Sequence, residues 1–234
     1  MKRLFVAILV AAALYSGVWV WTSRATLERH DALVEMARDQ GWTISWQDRQ
    51  LRGYPSRIDV TYIAPVVETP SGQRWEAELA QVFQLVYRPR DAVGYIAPAS
   101  RITLDGQTWE MQAEGLRASF HPRRAGNAGL WPDPVTVESG PVTLTPDRGG
   151  APVTWAGGLF ATRRTDTGTD LYLRLDDLAL DGGAPSDLEL TLARRESGEG
   201  DGRLTLDGTD LPVTLEDRQM TIGDDRTIDL PRLP

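Results

Sequence analysis

Apolar and polar positions follow two different periods along this chain, and the change from one to the other divides it. Residues 4–23, L-F-V-A-I-L-V-A-A-A-L-Y-S-G-V-W-V-W-T-S, are 20 consecutive uncharged residues between Arg3 and Arg24. As a helix rising about 1.5 Å per residue they span roughly 30 Å, the thickness of a bilayer's hydrocarbon core. Apolar residues then recur at helical spacing: Leu27, Val34 and Ala37 mark a stripe that Leu33 and Met36 widen. Gly41 stands where a left-handed cap would end the helix. The pattern predicts one helix over 4–40, with a transmembrane anchor over 1–23 and a juxtamembrane amphipathic helix over 24–41.

At Trp42 the period becomes 2. Trp42, Ile44 and Trp46 alternate with Thr43, Ser45 and Gln47, while Ile58, Val60 and Tyr62 alternate with Asp59 and Thr61. Such alternation marks half-buried antiparallel strands. Further strands are expected over 74–80, 82–88, 100–105, 107–113, 116–121, 135–138, 141–145, 152–162, 170–180, 187–194, 203–206, 211–216 and 219–222, with no second helix. The triplet L-D-G recurs at 104–106, 180–182 and 206–208, and Asp-Gly is a hairpin signal because both turn positions tolerate positive φ. Residues 42–234 therefore read as a single mainly β domain. It is either a curved antiparallel sheet with an open apolar face or a β-sandwich whose two sheets cover each other.

Composition narrows the chemistry. Cysteine is absent, which excludes disulfides, thiolate metal sites and cysteine nucleophiles. Lys2 is the only lysine and Asn127 the only asparagine, against 24 arginines. Arginine is therefore the default cation of this chain, and a single Arg is weak evidence of specific recognition. Residues 165–234 hold 17 acidic residues against 7 arginines, whereas residues 1–164 are near neutral. With no concentrated basic surface, nucleic acid is not expected as a partner.

The flank of the apolar run sets orientation. Lys2 and Arg3 hold the short N-terminal flank in the cytoplasm, so the remaining chain is exported. Trp19 and Trp21 fall at the outer interface, where amphipathic rings settle. A cleaved signal peptide is the competing reading. The run ends in V-W-V-W where a peptidase needs small residues, so the anchor is expected to stay uncleaved.

The stretch R-G-Y-P-S-R at 52–57 lies between two alternating runs. Gly53 permits positive φ and Pro55 drives Tyr54 toward extended geometry, so the stretch reads as a corner between strands. Arg52 and Arg57 are also placed to hold a phosphate or carboxylate. Arg52, Tyr54 and Arg57, with Trp42 and Trp46, are the candidate ligand or partner contacts. The anchor, the helix ending near G-W, and Gly53-Tyr54-Pro55-x-Arg57 followed by strands together resemble the bacterial envelope family catalogued as domain of unknown function 2125. That resemblance implies an envelope location and a β fold, and no catalytic residue.

Other chemistries find no motif. There is no G-x-S-x-G elbow, phosphate loop or dinucleotide glycine pattern. His30, on the helix, is expected to be a solvated side chain, and His121 is too distant in sequence to complete a metal site with it. The pairs Asp176-Asp177 and Asp224-Asp225 would point to opposite faces of a strand. Asp201, Asp207 and Asp210 do not match a calcium loop and read as solvated turns. No catalytic residue, metal or cofactor is expected. The expectation is a single-pass protein of the bacterial inner membrane with a periplasmic β domain, acting without catalysis by binding a lipid or an envelope protein. The alternative is a periplasmic hydrolase using carboxylates, with His121 as a helper. The acidic C-terminal segment is expected to lie away from an anionic membrane surface, with Trp42 and Trp46 closer to it.

Overall fold

The computed structural model describes residues 2–124, 130–216, 219–223 and 226–229. Helix α1 (Lys2–Asp39) is the one helix among them. It ends as expected: Gly41 has φ +87°, and the N–H of Trp42 donates to the Ala37 carbonyl at 3.0 Å.

All the strand pairings are antiparallel, in two sheets. The smaller sheet runs in the order β1 (Thr43–Ser45), β4 (Val66–Glu68), β5 (Arg74–Ala77), β8 (Ala99–Leu104), β9 (Gln107–Ala113), β12 (Val142–Pro146), β13 (Val153–Trp155). The larger begins β2 (Asp48–Arg52), β3 (Arg57–Ile63), β6 (Leu79–Leu85), β7 (Arg88–Ile96), β10 (Arg117–Arg124), β11 (Leu130–Ser139), β14 (Gly157–Arg164). It continues through β15 (Gly168–Leu178), β16 (Ser186–Arg195), β17 (Gly200–Leu206), β18 (Thr209–Glu216), β19 (Gln219–Ile222) and β20 (Arg226–Asp229).

The two orders run in step because the chain crosses from one sheet to the other without turning back. The crossings lie at 46–47, 64–65, 78, 97–98, 114–116, 140–141 and 156. Backbone hydrogen bonds continue across this line, as in Ala64 N–H to Glu78 O at 2.8 Å, Ala97 N–H to Leu79 O at 3.1 Å, and Glu114 N–H to Pro141 O at 2.9 Å. The two sheets are thus halves of one meander folded along a crease. Pro65, Pro98, Gly115, Gly140 and Pro141 sit at the crossings, where a regular ladder must be interrupted.

Pairing register puts one apolar residue from each of eleven strands of the larger sheet on a single cross-strand line. The line runs Leu51, Val60, Val82, Gly94, Ala118, Val137, Phe160, Leu173, Leu190, Leu204, Leu211. In the smaller sheet Ile44, Val67, Trp75, Ile102, Trp109 and Pro146 form the matching line. Both apolar faces lie on the same side of the crease. Leu116, at the crossing, packs on Met111, Ala113 and Val142 of the smaller half, and Trp155 Nε1 of the smaller half donates to Ser139 Oγ of the larger at 3.1 Å. The outer face of the smaller half is charged, with Arg74 on Glu68 and Glu76 and Arg101 on Glu76 and Glu110.

The halves do not close on each other as a sandwich. A compact monomer of 25.9 kDa exposes about 10,500 Å², and this chain exposes 15010 Å². Helical turns standing clear of the sheet contribute part of the excess. The rest agrees with the scarcity of core: among the described residues the fully buried apolar side chains fall in separate patches, and most apolar strand residues are half-buried. One patch, Ile58 and Val60, lies under α1. Another follows the crease at Met111, Ala113 and Val142. A third is the curled C-terminal end, where Leu192, Leu204, Val213 and Leu215 pack on one another.

Several expected strand boundaries move. The run 152–162 breaks at Ala156, and 74–80 breaks at Glu78, because both cross the crease. The run 82–88 straddles the turn between β6 and β7. The polar strand β2, D-R-Q-L-R, together with β4, β7 and β20, carries no clear alternation. The L-D-G turns are as expected: Asp105 and Gly106, Asp181 and Gly182, and Asp207 and Gly208 all have positive φ. Asp224 and Asp225 lie outside the described residues.

Candidate functional site: an apolar trough with a helical end wall

The creased meander makes a trough whose axis runs across the strands. At one end α1 lies along β3 inside the trough. Trp19 Nε1 donates to the Arg57 carbonyl at 2.8 Å, Thr26 Oγ1 to Gln84 Oε1 at 3.1 Å, and His30 Nδ1 meets the Tyr62 hydroxyl at 2.8 Å. The eleven helical steps from Trp19 to His30 cover about 16 Å, and the five strand steps from Arg57 to Tyr62 cover about the same. Helix and strand therefore stay in register. The buried helix residues are Thr22, Ser23 and Thr26, while Leu27, Val34 and Ala37 are half-buried. Small hydroxylated side chains let the helix approach the sheet closely, which an apolar stripe alone does not reveal.

His30 corrects the expectation of a solvated side chain. Its ring stacks on Tyr62, with centroids 6.2 Å apart. Burial pushes its pKa down to about 4, and Arg49 and Arg29 push the same way against Asp31. Burial also raises the Tyr62 hydroxyl, with Arg49 opposing. Arg49 of β2 bridges to Asp31 of α1 and lies 5.6 Å from the Trp46 ring centre. Because the folded pKa lies below the ordinary 6.5, the unfolded chain takes up the proton first as pH falls. Stability is full above about pH 6.5 and is lost between there and about 4. The melting temperature of the wild type is expected to drop between pH 7.5 and 5, and His30→Phe to shrink that drop markedly; an equal drop in both would remove His30 as the cause.

The candidate contacts separate into two places. Arg52, Tyr54 and Arg57 form the corner between β2 and β3, where Gly53 has φ +105°. Tyr54 is exposed, and its hydroxyl meets Ser16 Oγ at 2.9 Å. Arg57 pairs internally with Asp59 at 2.8 Å, and Arg52 donates to Gln50 at 3.3 Å. Trp42 and Trp46 lie at the opposite end of α1, where Trp46 packs edge-on against Tyr62 at 5.1 Å. From Trp19 to the helix end is 20 residues, about 30 Å. The corner adjoins the apolar half of α1, and Trp42 and Trp46 lie at the other end of the helix. Residues 168–229 occupy the part of the large sheet remote from the helix.

The middle of the trough carries no covering element among the described residues. Its floor there is shallow-chained, with Gly94 and Ala118 adjacent on the cross-strand line and Ala92 beside them. A Cβ added at Gly94 would find its nearest neighbours at 3.8 Å, so space is left above the floor. Phe120, Val137 and Phe160 line the next strands and are half-buried.

A family model described as an uncharacterised protein conserved in bacteria, domain of unknown function 2125, matches residues 19–233. The chain belongs to this family. No curated protein and no solved structure matches it. The family 2125 match takes in all the described strands and the second half of α1.

The candidates for acid–base chemistry stay dispersed. His121 Nε2 lies 3.2 Å from Asp91 Oδ1 on the outer face, with both side chains about half exposed. Among the described residues no three His, Asp or Glu side chains converge to hold a metal. Asp201 pairs with Arg195 and Asp210 with Arg203, and Asp207 caps the Asp187 N–H.

Proposed function

We propose that this family 2125 protein is a non-enzymatic lipid-binding module of the bacterial envelope, anchored in the inner membrane by residues 4–23 with its β domain in the periplasm. The observation that carries the reading is the unbroken inward apolar line of the larger sheet, left uncovered between the α1 end wall and the C-terminal curl. Charge supports the orientation, since Lys2 and Arg3 flank one end of the apolar helix, whose hydropathy and length suit a span.

The dimensions suit one acyl chain. From β6 to β15 is five strand spacings, about 24 Å, close to the length of an extended chain of 16 to 18 carbons. Each methylene kept from water contributes about 0.8 kcal/mol. An apolar trough therefore holds a chain that has left the bilayer at little net cost. The polar outer faces keep the carrier soluble while the chain lies inside.

The reading is tested by placing a photoreactive amino acid at Val137, which faces inward, or at Glu138, which faces outward beside Arg117. After irradiation in cells, a lipid-sized mass adduct is expected from Val137 and not from Glu138. Equal labelling, or a protein adduct alone at Val137, would replace lipid by another occupant.

A further inference from the structure

We infer that the tips of the first two hairpins of the larger sheet are a membrane-inserted foot, seated in the outer leaflet beside the anchor. The corner at 52–57 is tied to helix residues that belong to the apolar span. Tyr15 donates its hydroxyl to the Pro55 carbonyl at 3.0 Å, Ser16 meets Tyr54, and Trp19 donates to the Arg57 carbonyl. A span of about 30 Å starting at residue 4 ends near residue 23. Tyr15 to Trp19 then lie roughly 6 to 12 Å inside its outer boundary, and the corner is held at that depth with them.

Four carbonyls of the corner have protein partners, which lowers the cost of placing them in lipid. The carbonyl of Gly53 accepts from Arg57 N–H at 2.9 Å, that of Ser56 from Val86 N–H at 3.1 Å, and those of Pro55 and Arg57 from the helix side chains. Pro55 has no N–H to satisfy.

The second tip, Val86 and Tyr87 between β6 and β7, is fixed beside the first by that Val86 bond. Tyr87 is 70% exposed, Tyr54 56% and Trp21 72%. Amphipathic rings around the outer end of a spanning helix are the usual composition of a membrane interface. Arg52 and Arg88 stand one step behind the rings, and neither tip contains an acidic residue. Their stems can run along the apolar surface while the guanidinium groups reach lipid phosphates. The foot rests on the anchor reading above and sets the rim of the trough beside the helix at the bilayer surface, where a chain would enter.

The chain has no cysteine, so single-cysteine variants report on single sites. Tyr87→Cys and Leu180→Cys, the latter in the exposed connection between β15 and β16, are each labelled with a nitroxide in the full chain. The labelled chains are reconstituted into phosphatidylcholine–phosphatidylglycerol vesicles, and collisions with oxygen and with a water-soluble nickel chelate are compared. The oxygen-to-nickel ratio is expected to be several-fold higher at the Tyr87 site than at the Leu180 site. Equal, water-like ratios in chains that still float with carbonate-washed vesicles would overturn the foot and leave the anchor standing. Failure to float would overturn both. The lipid adduct at Val137 is read separately from either.

Discussion

Gly202→Val is expected to destabilise the protein by about 3 kcal/mol or more, or to abolish folding of the C-terminal curl. Gly202 pairs with Leu192 on one side and Val213 on the other, and a Cβ there would lie 2.0 Å from the Thr191 carbonyl oxygen. Because that obstacle is backbone, no rotamer change relieves it. The bare position lets Leu192 and Val213 lean over β17 and close the patch that includes Leu204 and Leu215. Gly94→Ala serves as the counterpart, since its Cβ would make only ordinary contacts at 3.8 Å. Urea unfolding of the two variants decides the matter: a Gly202→Val midpoint as near the wild type as that of Gly94→Ala would refute the close approach.

Phe160→Asp is expected to reduce the lipid adduct at Val137 by about tenfold or more, because a carboxylate in an apolar trough must either stay hydrated or lose its charge. Phe160 pairs directly with Val137 and faces the same way. Leu159→Asp, one residue earlier, faces outward between Glu138 and Arg174 and should leave the adduct unchanged. The two substitutions carry the same charge and differ only in the face they occupy. Loss of the adduct in both would point to general damage and against an inward binding surface.

Much of this architecture is legible in residue order, and the parts that are not have physical causes. The long apolar helix, the Gly41 cap, the L-D-G turns and the leucine strands β15 to β18 follow from periodicity and turn chemistry, which are local. The crease is not local. At Glu78 and Ala156 the chain stays extended and merely changes sheet, so the alternation runs on with no punctuation to mark the break. The docked face of α1 escapes an apolar template because Ser23, Thr26 and His30 form it. Their burial depends on Gln84 and Tyr62, which are distant in sequence. The corner at 52–57 is readable as a corner, but its depth relative to the helix requires knowing that Tyr15 and Trp19 meet it.

The same strand order bears on how the protein is made. In the meander each strand pairs with neighbours delivered shortly before or after it, and the helix that closes the first end precedes every strand. A polypeptide emerging from its N-terminal side can therefore add hairpins one after another to an edge already in place, as repeat proteins propagate from a formed unit. Stability then accumulates along the chain. A break near β20 only shortens the growing edge, whereas a defect in β6 or β7 detaches everything synthesised later from the helix that closes the first end of the trough.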